Sequence, residues 1–214
     1  VSLCLNLGIL DILAYFLQKP FYALFSLTPM MSSLYFVSFF CGYPTNVKII
    51  KEAYELNYID LDELQHLLSI ASFSSISFIF VSLNTPYSFL ILICHLLPSL
   101  ILASFYHHPQ KKFTFKQVLQ TLKQPHLSFV KAFKKSVLSS VYAFLFILGY
   151  MLIFQFFVSF LQDVFPQFSF DYLKGILEFS SGSLKIIHQS KKMLPFVCFF
   201  LSFSGFSVMM QADN

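Results

Sequence analysis

The chain has 214 residues, of which 57% are apolar and 11% charged, against about a quarter charged in an ordinary soluble domain. Mean hydropathy is +0.70 and formal net charge +4. These values exclude an ordinary soluble domain. The charges also gather between long uncharged stretches, as in a polytopic, all-α transmembrane bundle.

In chain order, seven segments read as membrane-embedded: 2–18, 21–42, 63–83, 86–106, 136–162, 172–188 and 193–210. About 20 apolar residues span the hydrocarbon core, so 136–162 crosses with tilt. Segments 2–18 and 172–188 are short. They read as half-helices or re-entrant pieces, which are tolerated where protein or a cavity covers them. The third segment is rich in serine (Ser69, Ser72, Ser74, Ser75, Ser77, Ser82), so one of its faces is expected on protein. His95 and Pro98 lie inside the fourth.

Residues 45–62 are amphipathic. Lys48, Lys51, Glu52 and Glu55 alternate with Val47, Ile50 and Tyr54 at helical spacing. Asn57-Tyr58 reads as a helix stop, and Asp60 with Glu63 as a capping pair. The expectation is a short interfacial helix, with Lys48 snorkelling.

Residues 107–135 hold Lys111, Lys112, Lys116, Lys123, Lys131, Lys134 and Lys135 with no acid, and the chain has no arginine. By the lysine bias this loop is cytoplasmic. Counting spans places 45–62 on the same side, 163–171 outside, and 188–192 inside with Lys191 and Lys192. The lysines set topology and also suit anionic lipid head groups. Lying between two spans, they do not suit nucleic acid.

Cys4, Cys41, Cys94 and Cys198 sit in apolar segments without a CxxC pair and read as small buried apolar residues. The six histidines lack metal-ligand spacing, and no P-loop, dinucleotide glycine pattern, nucleophile elbow or HExxH occurs. No enzymatic chemistry, metal or cofactor is therefore expected. Both ends fall directly beside apolar runs, so both read as truncated within a longer protein.

An internal echo is the most informative pattern. Gly8-Ile9-Leu10-Asp11 recurs as Gly175-Ile176-Leu177-Glu178, and Gly42-Tyr43 downstream of the first corresponds to Gly205-Phe206 downstream of the second. The glycines are 34 residues apart in the first half and 30 in the second. The span count starts Gly8 inside and Gly175 outside, so the halves run in opposite directions. Inverted repeats with interrupted helices at the bilayer midplane are the usual plan of secondary transporters. Gly42-Tyr43-Pro44 is such an interruption, since glycine frees the backbone and proline removes a donor. The chain then divides into 1–106, a first repeat with flanking spans; 107–135, the basic loop; and 136–214, a second repeat.

These residues also carry a family resemblance. CGYPTNVKIIKEAYELNYIDLDELQHLL (41–68), GILEFSSG (175–182) and SFSGFSVMMQ (202–211) resemble the sporulation integral membrane protein YlbJ family, within the nucleoside-recognition or Gate domain group. The resemblance covers nearly the whole chain. It departs at 71–77, where the family has an asparagine-rich, proline-containing stretch, and at Met209, where a polar residue is common. The resemblance implies a multi-pass protein of the bacterial cell membrane, a role in spore formation and a distant likeness to nucleoside transporters.

The candidate ligand-binding residues are Gly42, Tyr43, Pro44, Glu178, Ser180, Ser181 and Gly205, with Glu178 and Asp11 as candidates for coupling a cation. A carboxylate at membrane depth costs several kcal/mol unless paired or hydrated. Glu178 reads either as a cation, proton or ligand site, or as the cap of a broken helix. Two functions follow. One is a secondary-transporter-like protein that binds or moves a small polar, nucleoside-like solute between its repeats. The other is a membrane scaffold for spore-envelope assembly that works through loop 107–135 or the helix at 45–58.

Overall fold

A computed structural model describes residues 3–4, 7–71, 73–106, 108–109, 111–123 and 129–206. Ser72, His107, Ser207 and Met209-Met210-Gln211 lie outside the described residues. Among those described, every regular element is helical.

Helices α1 (Ile9–Phe25) and α2 (Pro29–Cys41) meet at 90°. The first two membrane segments were expected to divide near Lys19-Pro20. Instead Pro20 lies inside α1, and the break falls at 26–28. An interior proline removes one helical hydrogen bond. The stronger stop is local: Ser26 turns left-handed (φ 52) and Pro29 opens the next helix.

Helix α3 (Thr45–Glu55) ends just before Asn57, which takes a positive φ of 58°. Helix α4 (Leu61–Ile70) begins with the expected capping box. The Glu63 N–H donates to Asp60 Oδ1 at 2.9 Å, and the Asp60 N–H donates to Glu63 Oε2 at 3.1 Å. After α4 the chain is irregular at 73–75 and then makes one π-helical turn, Phe78–Ser82.

Helices α5 (Ser88–Phe105), α6 (Phe115–Lys123) and α7 (Phe129–Val164) follow. Beyond them lie α8 (Asp171–Leu177), α9 (Phe179–Ile187), a 3-10 turn (Lys191–Met193) and α10 (Leu194–Phe203).

Among the described residues, α5 and α7 are the two helices able by length and composition to cross a membrane alone, and the bent α1–α2 pair makes up to three. Segments 63–83, 172–188 and 193–210 each yield only shorter helices among the described residues. Ten residues of helix reach about 15 Å, half of a roughly 30 Å core.

Two apolar clusters hold the fold. The first gathers Leu10, Leu27, Met31, Leu34, Tyr35, Ile50, Leu67, Ile70 and Phe73. The second gathers Ile79, Leu83, Ile91, Phe179, Ile186, Val197, Phe200 and Leu201. Helix α5 joins them, giving Ile91 to one and Ala103 to the other. Its buried Ser99 bonds the Tyr35 hydroxyl at 2.8 Å and also donates to the Ile70 carbonyl, so α2, α4 and α5 meet without an orphaned hydroxyl.

Helix α7 belongs to neither cluster. Only Ala132, Ser136 and Val158 are buried along its 36 residues, and its apolar side chains point outward. The cysteines also differ from expectation: Cys94 is exposed, and Cys4, Cys41 and Cys198 are half-buried. Cys4 and Cys41 pack against the first cluster and Cys198 against the second, so only Cys94 faces outward, as a lipid-facing position would.

The basic segment folds back onto the first half. Lys111 Nζ reaches Glu63 Oε1 at 2.9 Å and Asp60 Oδ2 at 3.6 Å. The Gln18 amide exchanges two 2.9 Å hydrogen bonds with the Phe113 backbone. His66 Nδ1 and His108 Nε2 are 2.9 Å apart. The two segments expected on one side thus touch directly.

Candidate functional site

Three breaks in helical structure converge on one small cavity. The first is Gly42-Tyr43-Pro44, between α2 and α3. Gly42 has φ +62, and a Cβ there would lie 2.4 Å from the Ser75 backbone nitrogen. Only glycine satisfies both conditions. The Tyr43 N–H donates to Phe73 O at 3.1 Å, and the Asn46 N–H to Gly42 O at 3.0 Å. The buried Asn46 amide also donates to the Ala71 carbonyl, so the first break is laced to the second.

The second break is Phe73-Ser74-Ser75. The Ser74 N–H donates to His95 Nε2 at 2.7 Å. That nitrogen is therefore unprotonated, which leaves the proton on Nδ1, 3.3 Å from Ser202 Oγ. One neutral histidine of α5 thus holds a break of the first half and a serine of α10 together.

The third break is Glu178, between α8 and α9. Its Oε1 accepts from the Ser180 N–H at 2.9 Å and its Oε2 from the Ser181 N–H at 2.7 Å. The side chain caps α9 with both oxygens, where the helix end favours negative charge. A Cβ on Gly182 would lie 2.2 Å from the Gly175 Cα, so α8 and α9 cross at backbone contact. Gly205 (φ +76) closes the break from behind; a Cβ there would lie 3.1 Å from Phe179 N and 3.2 Å from Leu177 O.

The cavity among these breaks has a volume of about 210 Å³. It is lined by Tyr43, Pro44, Thr45, Ser74, Ser75, Phe78, Glu178, Phe179 and Ser180, with Ile147 and Met151 from α7. Glu178 is 5% exposed and Ser74 4%. Ser74 Oγ is buried with no hydrogen-bond partner among the described residues. An unpaired buried hydroxyl costs about 1–3 kcal/mol, so it favours a polar occupant. Beside it, each Glu178 oxygen keeps a second lone pair for a donor or a cation. No group of three histidine, cysteine or acidic side chains gathers among the described residues.

Of the residues singled out in the sequence, Tyr43, Pro44, Glu178 and Ser180 line this cavity. Gly42, Ser181 and Gly205 shape it through the backbone. Both readings of Glu178 meet in one geometry, because it caps α9 and faces the cavity. Asp11 is not in the lining. It is buried in the first turn of α1, and its charge, after burial, helps hold the Tyr58 hydroxyl above its ordinary range.

Sequence reasoning assigned no site role to Ser74, Ser75, His95, Ile147 or Met151. The signal at 73–75 was present but read as a helix face. Serine competes with helix by bonding its own backbone, and a run of serines marks a break as readily as a packing stripe.

Fold and cavity define the class: an all-helical chain with, among the described residues, two to three helices apolar and long enough to cross a membrane. No family model, curated protein or solved structure matches the chain.

Proposed function

We propose that this chain is a multi-pass membrane protein of the sporulation and nucleoside-recognition kind. In this reading it is secondary-transporter-like, and it binds or moves a small polar solute where two oppositely oriented halves meet. One observation carries the proposal: breaks from both halves of the chain line the same 210 Å³ cavity, with a buried carboxylate on one wall. The volume falls below the range of about 300–1,000 Å³ for drug-sized sites, so the occupant is small. Glu178 supplies acceptors for hydroxyl or amine donors and a charge that a coupling cation would share. Ser74 and Thr45 supply hydroxyls.

The resemblance to the YlbJ family supports the same reading through the Gly42-Tyr43-Pro44 and Glu178 segments. The inverted relation of the halves rests on the lysine bias and on the repeated order of acid, helix, turn, helix and left-handed glycine.

The test is uptake or ligand-dependent thermal stabilisation of the purified protein across nucleosides and amino acids. Glu178→Gln is expected to abolish the response while the protein still inserts and folds. A full response in that variant would end the proposal.

A second reading, a scaffold for spore-envelope assembly, is favoured by α7, whose apolar length is left almost wholly uncovered. Charge reversal in 107–135 would then disturb function more than Glu178→Gln does.

A further inference from the structure

A second, larger cavity of about 460 Å³ opens beside the first and shares Pro44, Thr45 and Ile147 with it. One wall is the polar face of α3, with Lys48, Lys51, Glu52 and Glu55; the other is α7, from Lys135 past Tyr142 to Phe146. Lys135 and Phe146 are separated by about 16 Å of helix. A single wall therefore runs from ammonium groups to aromatic hydrocarbon across about half a bilayer core.

Depth is fixed by the sequence of α7. Lys131, Lys134 and Lys135 end its charged part, and no charge follows until Asp163. Lys135 thus marks the head-group level. Lys48 Nζ reaches across the groove to the Ser139 carbonyl at 3.1 Å, one turn below Lys135. That contact lays α3 along the same level. No ion pair joins Lys51 to Glu55, although residues four apart on a helix are neighbours.

We propose that this groove seats one phospholipid whose headgroup carries a primary ammonium. The phosphate lies against Lys51 and Lys135, the ammonium against Glu52 and Glu55, and the first acyl carbons against Tyr142 and Phe146. A wholly anionic headgroup would meet two carboxylates. A soluble solute would leave the apolar wall of α7 without a partner. The proposal does not rest on what the Glu178 cavity takes.

The experiment titrates the full chain, purified in mild detergent, with dioleoyl phosphatidylethanolamine, phosphatidylcholine and phosphatidylglycerol, reading binding by native mass spectrometry and unfolding temperature. Glycerophosphoethanolamine and inorganic phosphate are the arms without acyl chains. Phosphatidylethanolamine is expected to bind at least tenfold tighter than either other lipid and about a hundredfold tighter than its free headgroup. Lys51→Ala with Lys135→Ala should lower that affinity at least tenfold, and arginine at both positions should restore it. Glu52→Gln with Glu55→Gln should bring ethanolamine down to choline, and this readout stands alone if the alanine pair does not fold. Equal affinity for ethanolamine and choline lipids in the unmodified chain would overturn the proposal. Tightest binding of the glycerol lipid, or of the free headgroup, would do the same.

Discussion

The α1–α2 pair and the α9–α10 pair follow one order with different forces behind it. Each starts at a buried acid, Asp11 in the first turn of α1 and Glu178 capping α9. Each ends at a glycine with positive φ, +62 at Gly42 and +76 at Gly205. The first pair has 17- and 13-residue helices and builds much of the larger cluster. Its closing break is held by backbone: the Tyr43 N–H on the Phe73 carbonyl, and Gly42 pressed on Ser75. The second pair has 9- and 10-residue helices, and its opening break is held by a carboxylate on two N–H groups. A break held by packing has one arrangement. A break held by a charge beside a cavity can share that charge with a ligand. In the proposed reading the second half is therefore the responsive one, and the first half is the frame.

Substitutions can break or sharpen that contrast. The largest effect is expected from Gly42→Ala. It adds a left-handed penalty of about 1–2 kcal/mol to a clash with backbone worth about 1–3 kcal/mol. Together they should lower stability by about 3 kcal/mol, read as the unfolding midpoint in detergent. A loss under about 1 kcal/mol would remove the frame.

His95→Ala should come next, at about 2 kcal/mol, because it orphans the Ser74 N–H and cuts a side-chain link between that break and Ser202. Faster hydrogen exchange at Ser74, with α1 unchanged, is the specific sign. Unchanged exchange at Ser74 would count against the link.

Gly205→Ala should cost about 1.5 kcal/mol, mostly the left-handed penalty, since its neighbours leave 3.1 Å rather than 2.4 Å. If it proves as costly as Gly42→Ala, the two breaks are alike and the contrast falls.

The smallest effect belongs to the tether at Lys111, where Lys111→Met should cost about 1 kcal/mol. The Glu63 carboxylate beside it holds the Lys111 ammonium above its ordinary range. The Glu63 N–H, and then Lys111, hold the Asp60 carboxyl below its own. A raised lysine adds stability that is complete below about 10.5 and lost as pH rises through the higher folded value. A lowered aspartate adds stability that is complete above about 3.9 and lost as pH falls through the lower folded value. The tether should therefore hold evenly between those limits. The difference between Lys111→Met and the unmodified chain should vanish at both extremes; a maximum near pH 7 alone would contradict it.

Several features were legible because they are local. Asp60 and Glu63 have the spacing of a capping box, and the box forms. Asn57-Tyr58 stops a helix because asparagine tolerates a positive φ, and it takes 58°. Gly42-Tyr43-Pro44 breaks a helix by its own chemistry. Other features were not legible. Uncharged length suggested seven membrane segments, but hydropathy counts apolar residues and does not see where a helix stops. Ser26 and the serines near 74 stop helices inside apolar runs. Pro20, which looks like a boundary, does not stop one. Cys94 looks buried by type and is exposed, since in a membrane apolar residues lose nothing by facing outward.

By itself the sequence determined the all-helical class, the amphipathic α3, the long apolar α5 and α7, and the repeated acid and glycine. Composition, period and caps act over a few residues. Tertiary structure alone decided that Glu178 meets Tyr43 and Ser74 in one cavity, that His95 joins the halves, and that Lys135 faces Lys51 across a groove. Those pairs lie from 21 to 135 positions apart in the chain. Their meeting depends on the angles at the breaks and on which helices share a cluster, and no local pattern encodes either.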